Sequence, residues 1–116
     1  MNDLQITTKE IKRVALLEVN GRVDSTTAGK LGEALNAAID DGKSRLVLDL
    51  ANVEYISSAG LREIVAALKR VQNLAGTGDL RLASPSDRVR EVLELAGLDE
   101  IFKIYDSQLE AVGSFT

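Results

Sequence analysis

The chain of 116 residues has no cysteine and no histidine. The first absence excludes a disulfide framework, a thiolate zinc site and thiol chemistry. The second removes the commonest general base near neutral pH and the commonest transition-metal ligand. There is no tryptophan and only four other aromatics, two Tyr and two Phe, so the core must be built from Leu, Val, Ile and Ala. One proline and an apolar content of 45% separate the chain from disordered sequences. No apolar run approaches the roughly 20 residues a membrane-spanning helix needs. The polar start "MNDLQITTKE" is unlike a signal peptide. A net charge of −4 argues against non-specific nucleic-acid binding and does not favour an anionic membrane. The default expectation is a soluble cytoplasmic protein, a monomer with neither nucleic acid nor membrane as a partner.

What is present is a hydrophobic pattern that changes period several times. Leu4–Lys9 and Val14–Val19 are strand-like, and Asn20-Gly21 is expected to close the second strand. Ala28, Leu31, Leu35, Ala38 and Ile39 then fall on one helical stripe. Asp24, Ser25 or Thr26 can cap this helix, and Asp41-Gly42 can stop it. Arg45–Leu50 reads as a strand covered on at least one side. From Gly60 a helix presents Leu61, Ile64, Val65, Leu68 and Val71, and "AGTGD" ends it. A short strand, Leu80–Leu82, leads to a third helix for which Ser84 is the expected cap, Pro85 the first position and Asp87 the capping-box acid. Its apolar face is Val89, Val92, Leu93 and Ala96, and Gly97 is its stop. "IFKIYD" is the last strand, and Gln108–Val112 a short closing helix. The order β-β-α-β-α-β-α-β(-α) implies an α/β fold with a mixed sheet, expected to be one domain over residues 1–116.

Enzyme chemistry finds little support. "ISSAG" lacks the first glycine of a nucleophile elbow, and no histidine can activate a serine. The lone Gly-x-Gly, in "AGTGD", follows a helix rather than a strand and lacks a P-loop lysine. Asp24, Asp49 and Glu54 would form a magnesium site only if loops gathered them. An Asp at a strand end more often accepts hydrogen bonds from loop amides. The chain is therefore expected to be a non-enzyme without cofactor or metal. The stretch left over is "YISSAGLRE", where two serines precede a helix. One of them can cap it. Gly60 costs helix propensity and implies a close approach. The free amides and dipole of a helix start also favour added negative charge, as a phosphate on Ser58 would supply.

"LVLDLANVEYISSAGLREIV" and "GRVDSTTAGKL" together resemble the two signatures of bacterial anti-sigma factor antagonists, the small STAS-domain proteins. The family's Asp-Ser-Ser/Thr-Gly-Leu segment aligns on Gly60-Leu61, and Asp24, Thr27 and Ala28 take matching places in the second segment. The resemblance extends to nearly the whole chain. It implies a STAS-like mixed sheet with helices packed mainly on one face. It also implies partner switching. The unphosphorylated antagonist binds an anti-sigma factor that is itself a serine kinase, of the GHKL type. Phosphorylation by that kinase releases the antagonist, and a PP2C-type serine phosphatase resets it. The alignment puts the phosphoacceptor at Ser58, with Ser57 as the competing hydroxyl. The implied partner surface includes Asp24, Thr27, Ser57, Ser58, Gly60, Leu61 and Arg62. Two positions depart from the family pattern: Ser57 stands where an acid is usual, and Ala59 where Ser or Thr is usual. The acid's loss motivates a second reading, a constitutive STAS interaction subunit of a transport or signalling complex.

Overall fold

The computed structural model describes residues 4–74 and 76–116. Ala75, the first residue of the expected helix stop, and Met1–Asp3 lie outside the described residues. The chain begins with an antiparallel hairpin, β1 (Gln5–Ile11) and β2 (Val14–Val23), turned at Lys12-Arg13. α1 (Ala28–Asp40), β3 (Arg45–Ile56), α2 (Ser58–Leu74), β4 (Asp79–Ala83), α3 (Asp87–Leu95), β5 (Ile104–Tyr105) and α4 (Gln108–Gly113) follow. The five strands form one mixed sheet in the order β1-β2-β3-β4-β5, with every pairing after the first parallel.

Alternation along β2 divides its side chains between two faces. Ala15, Leu17 and Val19 join Leu46, Leu48, Leu80 and Leu82 beneath α1, α2 and α3. From the helices, Leu31, Leu35, Ile64, Leu68, Val89 and Leu93 complete this core. Val14, Leu16, Val47 and Ala83 face the other way and are covered by Ala111 and Val112 of α4. Three helices thus lie on one face and one short helix on the other, as the resemblance implied. The stripe expected for α1 is buried in full.

Two strands run further than their sequences suggest. Asn20-Gly21 does not end β2. Gly21 takes φ 120° inside the strand, and β2 continues to Val23 in register with β3. The parallel register slips twice, between Glu18 and Asn20 and between Gly21 and Arg22, each time with one extra residue on β3. β3 itself continues six residues past Leu50, with Ala51, Asn52, Glu54 and Tyr55 exposed. A turn-type pair and an exposed stretch are therefore both carried inside strands by bulging. The consequence is functional, because Val23 and Ile56 end side by side.

The cap of α3 is also displaced. Ser86, not Ser84, accepts from the Val89 amide, and Asp87 opens the helix. The Ser84 amide instead donates to the Tyr105 carbonyl at 2.8 Å, and Ser84 turns the chain at φ 59°. Strand pairing to β5 thus holds Ser84 out of the cap position. Gly97 ends the α3 region in the left-handed conformation at φ 76°, in its expected role.

Candidate functional site at the ends of β2 and β3

Parallel strands that end together deliver their following loops to one place. The Ser57 amide donates to the Val23 carbonyl at 2.8 Å, tying the start of α2 to the end of β2. The loop carrying Asp24 and the turn carrying Ser57 and Ser58 are thereby brought to the same edge.

Asp24 and Thr27 brace each other. Asp24 Oδ1 accepts from the Thr26 amide (2.9 Å), the Thr26 hydroxyl (2.7 Å) and the Thr27 amide (3.2 Å). Thr27 Oγ1 accepts from the Asp24 amide at 3.0 Å and donates to the Arg22 carbonyl at 2.8 Å. These bonds hold the Asp24 carboxyl below the ordinary Asp range, the Thr26 hydroxyl foremost. A depressed carboxyl adds stability at neutral pH that is lost as pH falls through its folded value. Both residues of the expected pair thus shape the loop, and Ala28 behind them is buried in the core.

The two serines divide their work. Ser57 Oγ accepts from the Gly60 amide at 3.3 Å, and its carbonyl accepts from the Leu61 amide at 3.0 Å. Ser57 is therefore the cap of α2, the role expected of one of the pair. Ser58 is the first helical residue, is exposed, and makes no side-chain hydrogen bond among the described residues. A capping hydroxyl is engaged with its own backbone, whereas the Ser58 hydroxyl is open to an incoming electrophile.

Gly60 explains how α2 fits. A Cβ there would lie 2.5 Å from Val23 Cγ1 and 3.0 Å from Ile56 Cγ1. The close approach implied by this glycine is to the protein's own strand ends, and Gly60 is buried. Leu61 and Arg62 point elsewhere. With Ser58, Val65, Ala66 and Lys69 of α2 they line a groove of ≈ 570 Å³, closed on the far side by Ala96 and Leu98. Its lining is almost wholly apolar, with Arg62 and Lys69 as its charged residues. The sequence places Leu61 and Val65 on the apolar stripe of α2, and both do pack, partly buried, against the core while lining this groove. Only the packing brings Ala96 and Leu98 opposite them.

The other face of the sheet holds a polar cluster that the sequence did not announce. Gln108 Nε2 donates to Glu18 at 2.9 Å and to Asp49 at 2.7 Å, so one amide links two carboxylates and pins α4 to β2 and β3. Glu18 also pairs with Lys9 at 3.1 Å. Its carboxyl is lowered, mainly by Gln108. Asp49 further accepts from the Ala51 amide at 3.0 Å, a bond within β3 rather than to the loop amides expected of a strand-end Asp, because β3 continues past both residues. Among the described residues, no group of three or more His, Cys, Asp or Glu is placed to hold a metal ion, and no helix is long and apolar enough to cross a membrane.

Comparison with known proteins agrees with this fold. The family model described as the STAS domain matches residues 5–111. BtrV of Bordetella bronchiseptica, named as a candidate anti-sigma factor antagonist, is 35% identical over 112 residues, covering 97% of this chain and 95% of BtrV. The anti-sigma-F factor antagonist RsfB of Mycobacterium tuberculosis is 28% identical over 111 residues, covering 96% and 88%. The crystal structure of an anti-sigma factor antagonist from Mycobacterium paratuberculosis superposes with a TM-score of 0.88 at 26% identity, covering 97% and 93%.

Proposed function

This chain belongs to the STAS domain family, and from that premise we propose that it is an anti-sigma factor antagonist working by partner switching. Unphosphorylated, it binds an anti-sigma factor that is a GHKL-type serine kinase. The kinase transfers the γ-phosphoryl group of ATP to Ser58: the Ser58 Oγ–P bond forms, the bond to the ADP oxygen breaks, and the hydroxyl proton is released. The modified chain leaves, and a PP2C-type phosphatase restores it by hydrolysis. The chain acts as binder and substrate rather than as catalyst.

One observation carries this reading above others: Ser58 is exposed, makes no side-chain hydrogen bond among the described residues, and lines one end of an apolar groove. The groove is a natural docking surface, because association removes its apolar lining from water. The phosphoryl group would appear at its edge, where a dianion opposes docking through desolvation and repulsion. Asp24 and Thr27 stand on the neighbouring loop, which the Ser57–Val23 bond ties to the start of α2. The test is association. Among the GHKL-type kinases of the same genome, one should retain the unmodified chain on a column with ADP and release it when ATP is supplied. If none retains it, the reading fails.

A further inference from the structure

Arg62 stands one helical turn after Ser58, and both side chains line the same groove. On a helix, residues four apart are neighbours with Cβ atoms about 6 Å apart. An acidic group N-terminal to a cation at this spacing is the favourable orientation. Arg70, Arg81 and Arg90 each pair with a carboxylate, and Arg22 lies over the Tyr55 ring. Arg62 is exposed and, like Arg13, Arg45 and Arg88, has no ion-pair partner among the described residues, but of these four only Arg62 lines the groove. Lys69 lies about 16 Å from Ser58 along the helix axis, too far to take its place.

We propose that Arg62 is the intramolecular ligand of phosphorylated Ser58. The proposal rests on Ser58 as the acceptor. A phosphate monoester brings three strong acceptor oxygens, and the planar guanidinium fork matches them with paired N–H donors. Before modification, Arg62 offers its charge to a carboxylate of whatever occupies the groove. After modification, the guanidinium turns back one helical turn onto the phosphate. Phosphorylation therefore makes two changes on one surface: it adds a dianion and withdraws a cation. The phosphate–guanidinium pair also places a hydrated polar group across one end of an apolar channel.

The test uses the full chain with phosphoserine installed at position 58 during synthesis, so no kinase selects the site. ³¹P NMR follows the second ionisation of the phosphate in the otherwise unsubstituted chain, in Arg62→Gln and in Arg62→Lys. With Arg62 present, ionisation should occur about half a pH unit lower than in Arg62→Gln. Arg62→Lys should retain part of that difference, and high salt should reduce it. Identical titrations for the unsubstituted chain and Arg62→Gln would overturn the proposal. Because Arg62 is exposed, both variants should keep the amide spectrum of the folded chain away from residue 62. A kinase that left Ser58 unmodified in the association experiment would defeat the switching mechanism without altering this result.

Discussion

Ser58→Asp should weaken binding to the partner kinase by about 100-fold while leaving the fold intact. The binding loss follows from the groove. A carboxylate at one end of the groove must be desolvated on docking, and a buried interfacial charge left without a partner across the interface costs about 2–5 kcal/mol. The fold is spared because position 58 is exposed and opens α2, where the helix dipole favours negative charge by about 0.3–1 kcal/mol. Thermal unfolding of the variant should therefore match the parent or slightly exceed it. Ser58→Ala should bind as the parent does, since it removes a hydroxyl that makes no bond among the described residues, yet ATP should no longer release it. Isothermal titration of the three proteins separates these outcomes. Equal affinity of Ser58→Asp and the parent would remove the groove from the mechanism.

Gly60→Ala should destabilise the protein by about 1–3 kcal/mol, the range for inserting a methyl group into a packed site. At most helical positions this substitution is favourable by about 1 kcal/mol. Here the new Cβ would lie 2.5 Å from Val23 Cγ1. Either Val23 must rotate or α2 must move from the strand ends, and the second response also displaces Ser58 from the Asp24 loop. Val23→Ala in the same chain clears the conflicting atom. The cost of Gly60→Ala should then fall by more than half, which denaturant unfolding of the four proteins of the cycle measures. An undiminished cost in the Val23→Ala background would show that Val23 is not what Gly60 accommodates.

The element order was legible because the hydrophobic period changes from one element to the next and the stripes of α1 and α2 are regular, although the ends of β2, β3 and β5 were misplaced. Gly97 and the Gln108 helix were likewise visible from local chemistry. The failures share a cause. Asn20-Gly21 has turn chemistry, yet parallel pairing to β3 outweighs it and a register slip absorbs the irregularity. Ser84 precedes a proline and looks like a cap, but its bond to Tyr105 of β5 fixes its backbone elsewhere. In each case a partner distant in sequence overrode a local preference. The candidate site divides the same way. Its residues stand in two short motifs, and Gly60 signalled a close approach. The assignment of capping to Ser57 depends on packing, as does the groove that joins α2 to Ala96 and Leu98. So does the freedom of Arg62. Gln108 was visible only as a helix start, since its carboxylate partners lie on β2 and β3.

The division of labour between the adjacent serines is the centre of the account, and phosphosite mapping tests it most directly. After incubation with the partner kinase and ATP, fragmentation mass spectrometry of the peptide spanning Tyr55–Glu63 should place a single phosphate on Ser58. Ser57, whose hydroxyl caps Gly60, should carry none. Phosphate on Ser57, or on neither serine in a chain that ATP nonetheless releases, would contradict it.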